Sequence, residues 1–397
     1  MIYLDNAATS PIDVEVLEAM MPYLKEEYGN PSSKYYCLAD NAKAAVEQAR
    51  KSVARLIGAD SEEIIFTAGS TESTNFIIKG VLDYSRYYGS GKNQVITSDA
   101  EHKATLNVCK YLNGEIYSNK DATVSLFSVN KKVDRGFSAL FLPVNENGIV
   151  IPELFEAAIT DSTALASFIW VNNETGSIND IEVLAGTAHK RGVLFHADAT
   201  QAIGKLQIDV HASKIDYLSA SAHKIFGPKG IGCAYIKADK YGLPPITSLL
   251  HGGEQESGIR AGTLAVHNIV GFGKAAEIAY RDFEKNNRFI TELDDYFIKR
   301  ISASDDIRLV ISDKHRAKGI ISILVNKRNF NNERFIKRIS DNIALSTGSA
   351  CSLGEPSHVI KSIGLEKDVG RILRISLSKH TRKEYIDALI AFLNKQG

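Results

Sequence analysis

The stretch "IDYLSASAHKIFGPKGIGCAYIK", residues 215–237, decides how the rest of the chain is read. Two short apolar runs flank a turn rich in glycine and proline. Runs of this length bounded by turn residues read as strands. Lys224 stands where the first run ends, among small residues and close to Ser221 and His223. Taken alone, an ordinary solvated lysine is the simplest account of it. A lysine held at a strand end is also a candidate for forming a Schiff base with a carbonyl.

Working outward, "EIIFTAG", "QVITS", "TALASFIWVNN" and "GVLFHADA" are further short apolar runs. Amphipathic helices separate them. Asp13 caps one that carries Val16, Leu17, Met20, Met21 and Leu24. A second runs from about Leu38 to Ile57, with Ala42, Val46, Ala49 and Val53 on one side and Gly58 beyond its end. Two more fall near 104–112 and 180–191. Strands alternating with helices predict an α/β protein with a mostly parallel sheet. After about residue 265 the texture changes. A long polar helix is expected from Ala265 towards Ile301, then "GIISILVN", a helix at 331–339, "RILRISLS" and a closing helix. That reads as a second, smaller α+β unit. Residues 113–138 interrupt the alternation with polar, turn-rich sequence and the strand-like pieces "TVSLFSV" and "ALFLPV". They read as an inserted surface hairpin, either a tolerated loop or a partner-docking feature.

Composition narrows the function classes. A chain of 397 residues exceeds one ordinary domain. Lys+Arg and Asp+Glu each total 47, so no net field draws the protein onto nucleic acid or anionic lipid. Any service to DNA or RNA would pass through a partner. No run reaches the roughly 18 apolar residues of a membrane span. The start, "MIYLDNAATS", lacks the basic region of a secretory signal. Cys37, Cys109, Cys233 and Cys351 form no CxxC pair and no zinc spacing, so no metal is expected and a reducing cytoplasm is. The first three read as small buried hydrophobes. Cys351 lies in "STGSACSLGEPS", a glycine-containing segment built to bend.

Ligands of open parallel sheets gather beyond the carboxyl ends of the strands, and polar clusters follow several of these runs. "FTAGSTES" is strand, tight turn and helix start, and Ser70 and Thr71 there suit a phosphate. "DAEHKA" places His102 after a strand, "WVNNETG" places Asn172, Asn173 and Glu174, and "FHADATQAIG" places Asp198 and Gln201. Each has a bland reading as a cap or a surface residue. Together they match one cofactor. Pyridoxal 5'-phosphate needs a lysine for its aldehyde, a carboxylate for its ring nitrogen, a phosphate cradle and a flat group against the ring. Lys224, Asp198, Ser70 with Thr71, and His102 supply these.

The order of "YLDNAAT", "GNPSS", "FTAGSTES", "EHKA", "VNNETG", "HADATQ", "SAHKIFGPKGIG", "GGEQESGIRAGT" and "STGSACS" resembles the cysteine desulfurases of the nitrogenase and iron–sulfur group. These belong to the class-V aminotransferases. The resemblance covers nearly the whole chain. It implies the aspartate-aminotransferase-like, fold-type-I architecture of pyridoxal-phosphate enzymes, with a seven-stranded, mostly parallel sheet. Residues 16–262 would form the large domain, and 1–15 with 263–397 the small one. It further implies Lys224 as Schiff-base lysine and proton shuttle, and His102 as ring-stacking acid–base group. Asp198 would hold the ring nitrogen, Gln201 the phenolic oxygen, and Ser70, Thr71, Ser221 and His223 the phosphate. Asn173 would contact substrate and cofactor. Thr263 would reach the phosphate in the partner subunit's site of a homodimer. Arg374 would clamp the substrate carboxylate. L-cysteine would become L-alanine, with a persulfide on Cys351 passed to an acceptor protein.

Two departures bear on that acceptor. Only Ser352, Leu353 and Gly354 separate Cys351 from "EPS", a shorter loop than the housekeeping iron–sulfur enzymes carry. The chain also ends at "FLNKQG", without their scaffold-docking extension. Supply of iron–sulfur assembly or tRNA thiolation, and dedicated supply of a DNA phosphorothioation system, both stay open. An aminotransferase or lyase in which Cys351 is incidental is the alternative of another class.

Overall fold

The computed structural model describes residues 1–115, 133–348 and 357–395. After a short N-terminal strand, β1 (Ile2–Tyr3), come β2 (Ile64–Thr67), β3 (Gln94–Ser98), β4 (Ser138–Leu142), β5 (Thr163–Ile169), β6 (Leu194–Asp198), β7 (Tyr217–Ser221) and β8 (Gly232–Ile236). The last seven form one sheet in the order β2-β8-β7-β6-β5-β3-β4. Only β8 runs against its neighbours. The expected α/β class and mostly parallel sheet are present.

Burial on both faces explains the continuous apolar runs. Every residue of β5 is buried. Along β2, Ile64 and Phe66 face one core while Ile65 faces another, as a two-residue period requires. Helices Cys37–Ile57, Val266–Arg281 and Val14–Lys25 cover the first face. Helices Ser70–Tyr87 and Lys103–Leu112 cover the second. Two caps read from sequence are in place. Asp13 accepts from the Glu15 N–H, and Gly58 ends its helix at φ +69°. Because six strands run the same way, their carboxyl ends share one edge, and the polar clusters collect there.

The C-terminal unit is built differently. Strands β9 (Ile307–Leu309), β10 (Ile320–Val325) and β12 (Ile372–Ser376) make an antiparallel sheet in the order β12-β10-β9. A short strand, β11 (Ile343–Ala344), pairs in parallel with β1. Leu4 is buried in the same apolar cluster as Leu293, Phe297 and Leu389. The two ends of the chain thus share one core.

Three sequence expectations change. The helix expected from Ala265 to Ile301 is two helices, Val266–Arg281 and Phe283–Ile301, broken at Asp282. The first buries Phe272 against the large-sheet core, where Gly273 lies so close to Ala49 that a Cβ would sit 2.5 Å from its Cα. The second buries Leu293 and Phe297 in the C-terminal core. A buried aromatic contributes about 1.5–3 kcal/mol. Serving both cores favours a break over one straight rod. Cys37 is exposed rather than buried, because it opens its helix on the outer side. The insertion lies partly outside the described residues, which omit 116–132 and with them "TVSLFSV". "ALFLPV" supplies most of the edge strand β4. Among the described residues no helix is long and apolar enough to cross a membrane.

Candidate active site

A cavity of about 670 Å³ opens at the carboxyl edge of the sheet. Ser70, Thr71, His102, Asn173 and Asp198 line it, as do Gln201, Ser221, His223, Lys224 and Arg374. Sequence reasoning named all ten. Thr263 is exposed and does not line the cavity. Cys351 lies outside the described residues.

Local folding explains how each side chain arrives. Strand β2 ends at Thr67, and Gly69 turns the chain at φ +150° into helix Ser70–Tyr87. That helix start carries unpaired N–H groups and a favourable dipole for an anion. A Cβ on Gly232 of the adjacent strand would lie 2.7 Å from the Gly69 Cα, so the close approach requires glycine there. His102 caps helix Lys103–Leu112, its Nδ1 accepting the Ala104 N–H at 3.1 Å. Accepting at Nδ1 fits a neutral ring. Burial, opposed by the charge of Asp198 and reinforced by that of Lys224, holds its pKa below the usual histidine value.

Asp198 ends β6 and is 2% exposed. Its Oδ1 accepts the Thr200 N–H at 3.0 Å and the Thr200 hydroxyl at 2.5 Å. The same Thr200 oxygen lies 2.5 Å from the Ser70 hydroxyl. One threonine therefore ties the carboxylate to the helix start. Lys224 follows β7 on a single 3₁₀ turn, and its Nζ donates to the carbonyls of Ala7 at 2.6 Å and Ala8 at 2.7 Å. Gln201 Nε2 donates to the same Ala7 carbonyl at 2.7 Å. His223 Nδ1 lies 3.1 Å from the Thr9 hydroxyl, and burial followed by Lys224 pushes its pKa down to about 4.

Arg374, on β12, comes from the other unit and is 2% exposed. Its guanidinium donates to the Asn173 carbonyl at 2.9 Å and to Asp5 Oδ1 at 2.6 Å. Its Nε is buried without a partner among the described residues. Sequence reasoning missed Thr200, His358 and the carbonyls of Ala7 and Ala8, and it placed Glu174 after a strand without giving it a role. Thr200 stood inside a quoted motif with no role. The carbonyls carry no residue signature at all.

The donor set fits pyridoxal phosphate. It offers an amine, a buried carboxylate, hydroxyls at a helix start and a neutral imidazole on one cavity. The protein-family model "Aminotransferase class-V" matches residues 2–389.

The chain belongs to the class-V aminotransferase family.

Members of this branch of the class-V aminotransferases use pyridoxal phosphate. The chain is 40% identical over 390 residues to the cysteine desulfurase IscS of Rickettsia typhi (strain ATCC VR-144 / Wilmington), covering 97% of this chain and 88% of that protein. A solved NifS-like protein superposes with a TM-score of 0.86 at 30% identity, covering 99% of this chain and 98% of that one. A solved structure described as SspA in complex with cysteine gives 0.77 at 32% identity, covering 96% and 100%. In this class-V aminotransferase, Cys109 and Cys233 are fully buried. Burial pushes both thiols up, Cys233 to about 12, which makes them poor nucleophiles. Among the described residues no thiol lines the cavity.

Proposed function

We propose that the chain is a pyridoxal-phosphate-dependent cysteine desulfurase that carries sulfur from L-cysteine, as a persulfide on Cys351, to an acceptor protein. One observation carries the reading. The Lys224 amine, the Asp198 carboxylate and the Ser70 helix start open onto the same cavity as the Arg374 guanidinium.

Ser70, Thr71, Ser221 and His223 would hold the phosphate, Asp198 the ring nitrogen and Gln201 the phenolic oxygen, and His102 would pack against the ring. When bound, pyridoxal phosphate supplies an electron sink for the substrate α-carbon. Arg374 fixes the substrate carboxylate through its planar fork, and Asn173 orients the substrate beside it. Lys224 Nζ takes the α-proton and returns one at the end of turnover. The Cys351 thiolate attacks the substrate sulfur, so an S–S bond forms as the C–S bond breaks; the pair from that bond stays on the substrate, whose β-carbon takes up a proton to become the methyl group of alanine. L-alanine leaves, and the sulfur stays on Cys351. Its acceptor is a cluster scaffold, a thiolation enzyme or a DNA-modification protein. The zero net charge favours leaving any nucleic acid to that partner.

The working unit is a cytoplasmic homodimer in which Thr263 serves the partner's site. Its exposure, and the docking of Arg260 on Glu72 at 2.8 Å, support that reading. The large domain spans residues 16–262 with helix Val266–Arg281 packed on its core, and residues 1–15 join the chain from Phe283 onward in the small one; the buried Leu4 supports the second grouping. Purified holoenzyme given L-cysteine and a dithiol is expected to release sulfide and alanine one for one. Cys351→Ala is expected to abolish both. Full turnover by that variant removes the nucleophile assignment. Pyruvate in place of alanine removes the desulfurase reading.

A further inference from the structure

Glu174 has no part in the mechanism above, yet the structure fixes it on every side. Strand β5 runs into a tight turn where Asn172 Oδ1 accepts the N–H groups of Glu174 at 2.9 Å and Thr175 at 3.0 Å. Gly176 completes the turn at φ +79°. The Glu174 carbonyl accepts the Ser322 hydroxyl of β10 at 2.6 Å. Backbone and side chain are thereby aimed, and the carboxylate is 5% exposed and lines the cavity.

One oxygen of that carboxylate meets two distant parts of the sequence. Oε2 accepts the Ser357 hydroxyl at 2.5 Å. A Cβ built on Gly348 would lie 3.3 Å from the same oxygen, and Gly348 sits at φ +97°. Both neighbours are committed elsewhere. Ser357 Oγ accepts the Ile360 N–H, and the Gly348 carbonyl accepts from Arg374 at 3.3 Å. Gly348 and Ser357 border the eight sequence positions that include Cys351. The two described residues that border the cysteine segment therefore flank one side chain of the cavity, Ser357 bonded to it and Gly348 close beside it.

We propose that Glu174 is the positioning residue of the cysteine-bearing segment, setting where both of its ends are held relative to the bound substrate. The inference rests on the assignment of Cys351 as nucleophile. A buried carboxylate accepting a hydroxyl makes a stronger link than a neutral pair would. Small misplacement of a reacting group costs up to about a hundredfold in rate. Glu174 touches no reacting atom in this account and acts through Cys351.

The test uses the full-length holoenzyme and five readouts. Glu174→Ala is expected to keep cofactor absorbance, the spectral change on adding L-cysteine, and KM within about twofold. Single-turnover persulfide formation on Cys351, read by mass spectrometry, is expected to fall about ten- to a hundredfold. The rate at which iodoacetamide alkylates Cys351 is expected to change in the variant without any substrate. Glu174→Gln, which keeps an acceptor oxygen, is expected to recover part of the persulfide rate. Unchanged persulfide and alkylation rates in Glu174→Ala overturn the proposal. So does loss of L-cysteine binding in step with the rate, which would make Glu174 a binding residue. If Glu174→Ala does not fold, Ser357→Ala removes the same hydrogen bond from the other side and must give the same pattern. Failure of the underlying reading looks different, since Cys351→Ala would then retain turnover.

Discussion

The cavity has two walls of different origin. One is the carboxyl edge of the parallel sheet, where Asp198, His102, Lys224 and the Ser70 helix start follow directly from strands. The other is assembled from Ala7–Thr9, Gly348, His358 and Arg374, which come from both ends of the chain. The first wall is stiffened by the strand ladder beneath it and by the Thr200 link between Asp198 and Ser70. The second is pinned mainly by side-chain bonds, among them Arg374 to Asp5 and Ser357 to Glu174. The difference separates two tasks. Chemistry that must recur unchanged belongs on the strand edge, and recognition and sulfur delivery belong on the wall that crosses between units.

Lys224→Ala breaks the first wall. It is expected to lower alanine formation about 10²- to 10⁴-fold, the range for removing a positioned acid–base group. Binding of L-cysteine, followed by absorbance, is expected to survive. Equal loss of binding and rate would erase the division between the walls.

Arg374→Lys tests the second wall. The charge stays, but the fork that reaches Asp5 and the Asn173 carbonyl goes. Hydrogen bonds to charged groups are worth about 1.5–3 kcal/mol, so KM for L-cysteine is expected to rise about ten- to a hundredfold. The value of kcat is expected to change far less. A fall in kcat with KM unmoved would place Arg374 with the chemistry instead.

The same division explains what could be read from the sequence. Strand, turn and helix are local patterns, so "FTAGSTES", "FHADATQ" and "SAHK" announced both the elements and the first wall. The resemblance supplied Arg374, which no local pattern marks. Several contributors stayed without a role. The Ala7 and Ala8 carbonyls act through the backbone, and Thr200 looks like any turn threonine. Glu174 gains meaning only when Gly348 and Ser357 are seen to converge on it. The break at Asp282 was hidden for a similar reason. The two helices have compatible helical patterns, and only their separate cores show why one rod does not serve.

The smallest expected effect lies just behind the first wall, next to His102. Glu101 is fully buried, and burial raises its carboxyl pKa from 4.5 to about 8. Oε1 accepts the Ser98 hydroxyl at 2.6 Å, and the Ile169 backbone also favours the charged form, but burial outweighs both. Between pH 4.5 and 8 the folded protein therefore holds a proton that the unfolded chain has released. Stability must fall as pH rises through that window and level off above it. His196 and His223, both pushed down to about 4 by burial, act in the opposite sense between about pH 4 and 6.5. A single melting curve against pH would mix these effects. Glu101→Gln isolates one of them, because glutamine mimics the protonated acid and can still accept from Ser98. At pH 5 the two proteins are expected to melt within a few degrees of each other. By pH 8 the variant is expected to melt higher, and both should keep the cofactor. A difference that stays constant from pH 5 to 8 would mean that Glu101 is ionised in the folded protein. A charged carboxylate would then stand directly behind His102 in the first wall.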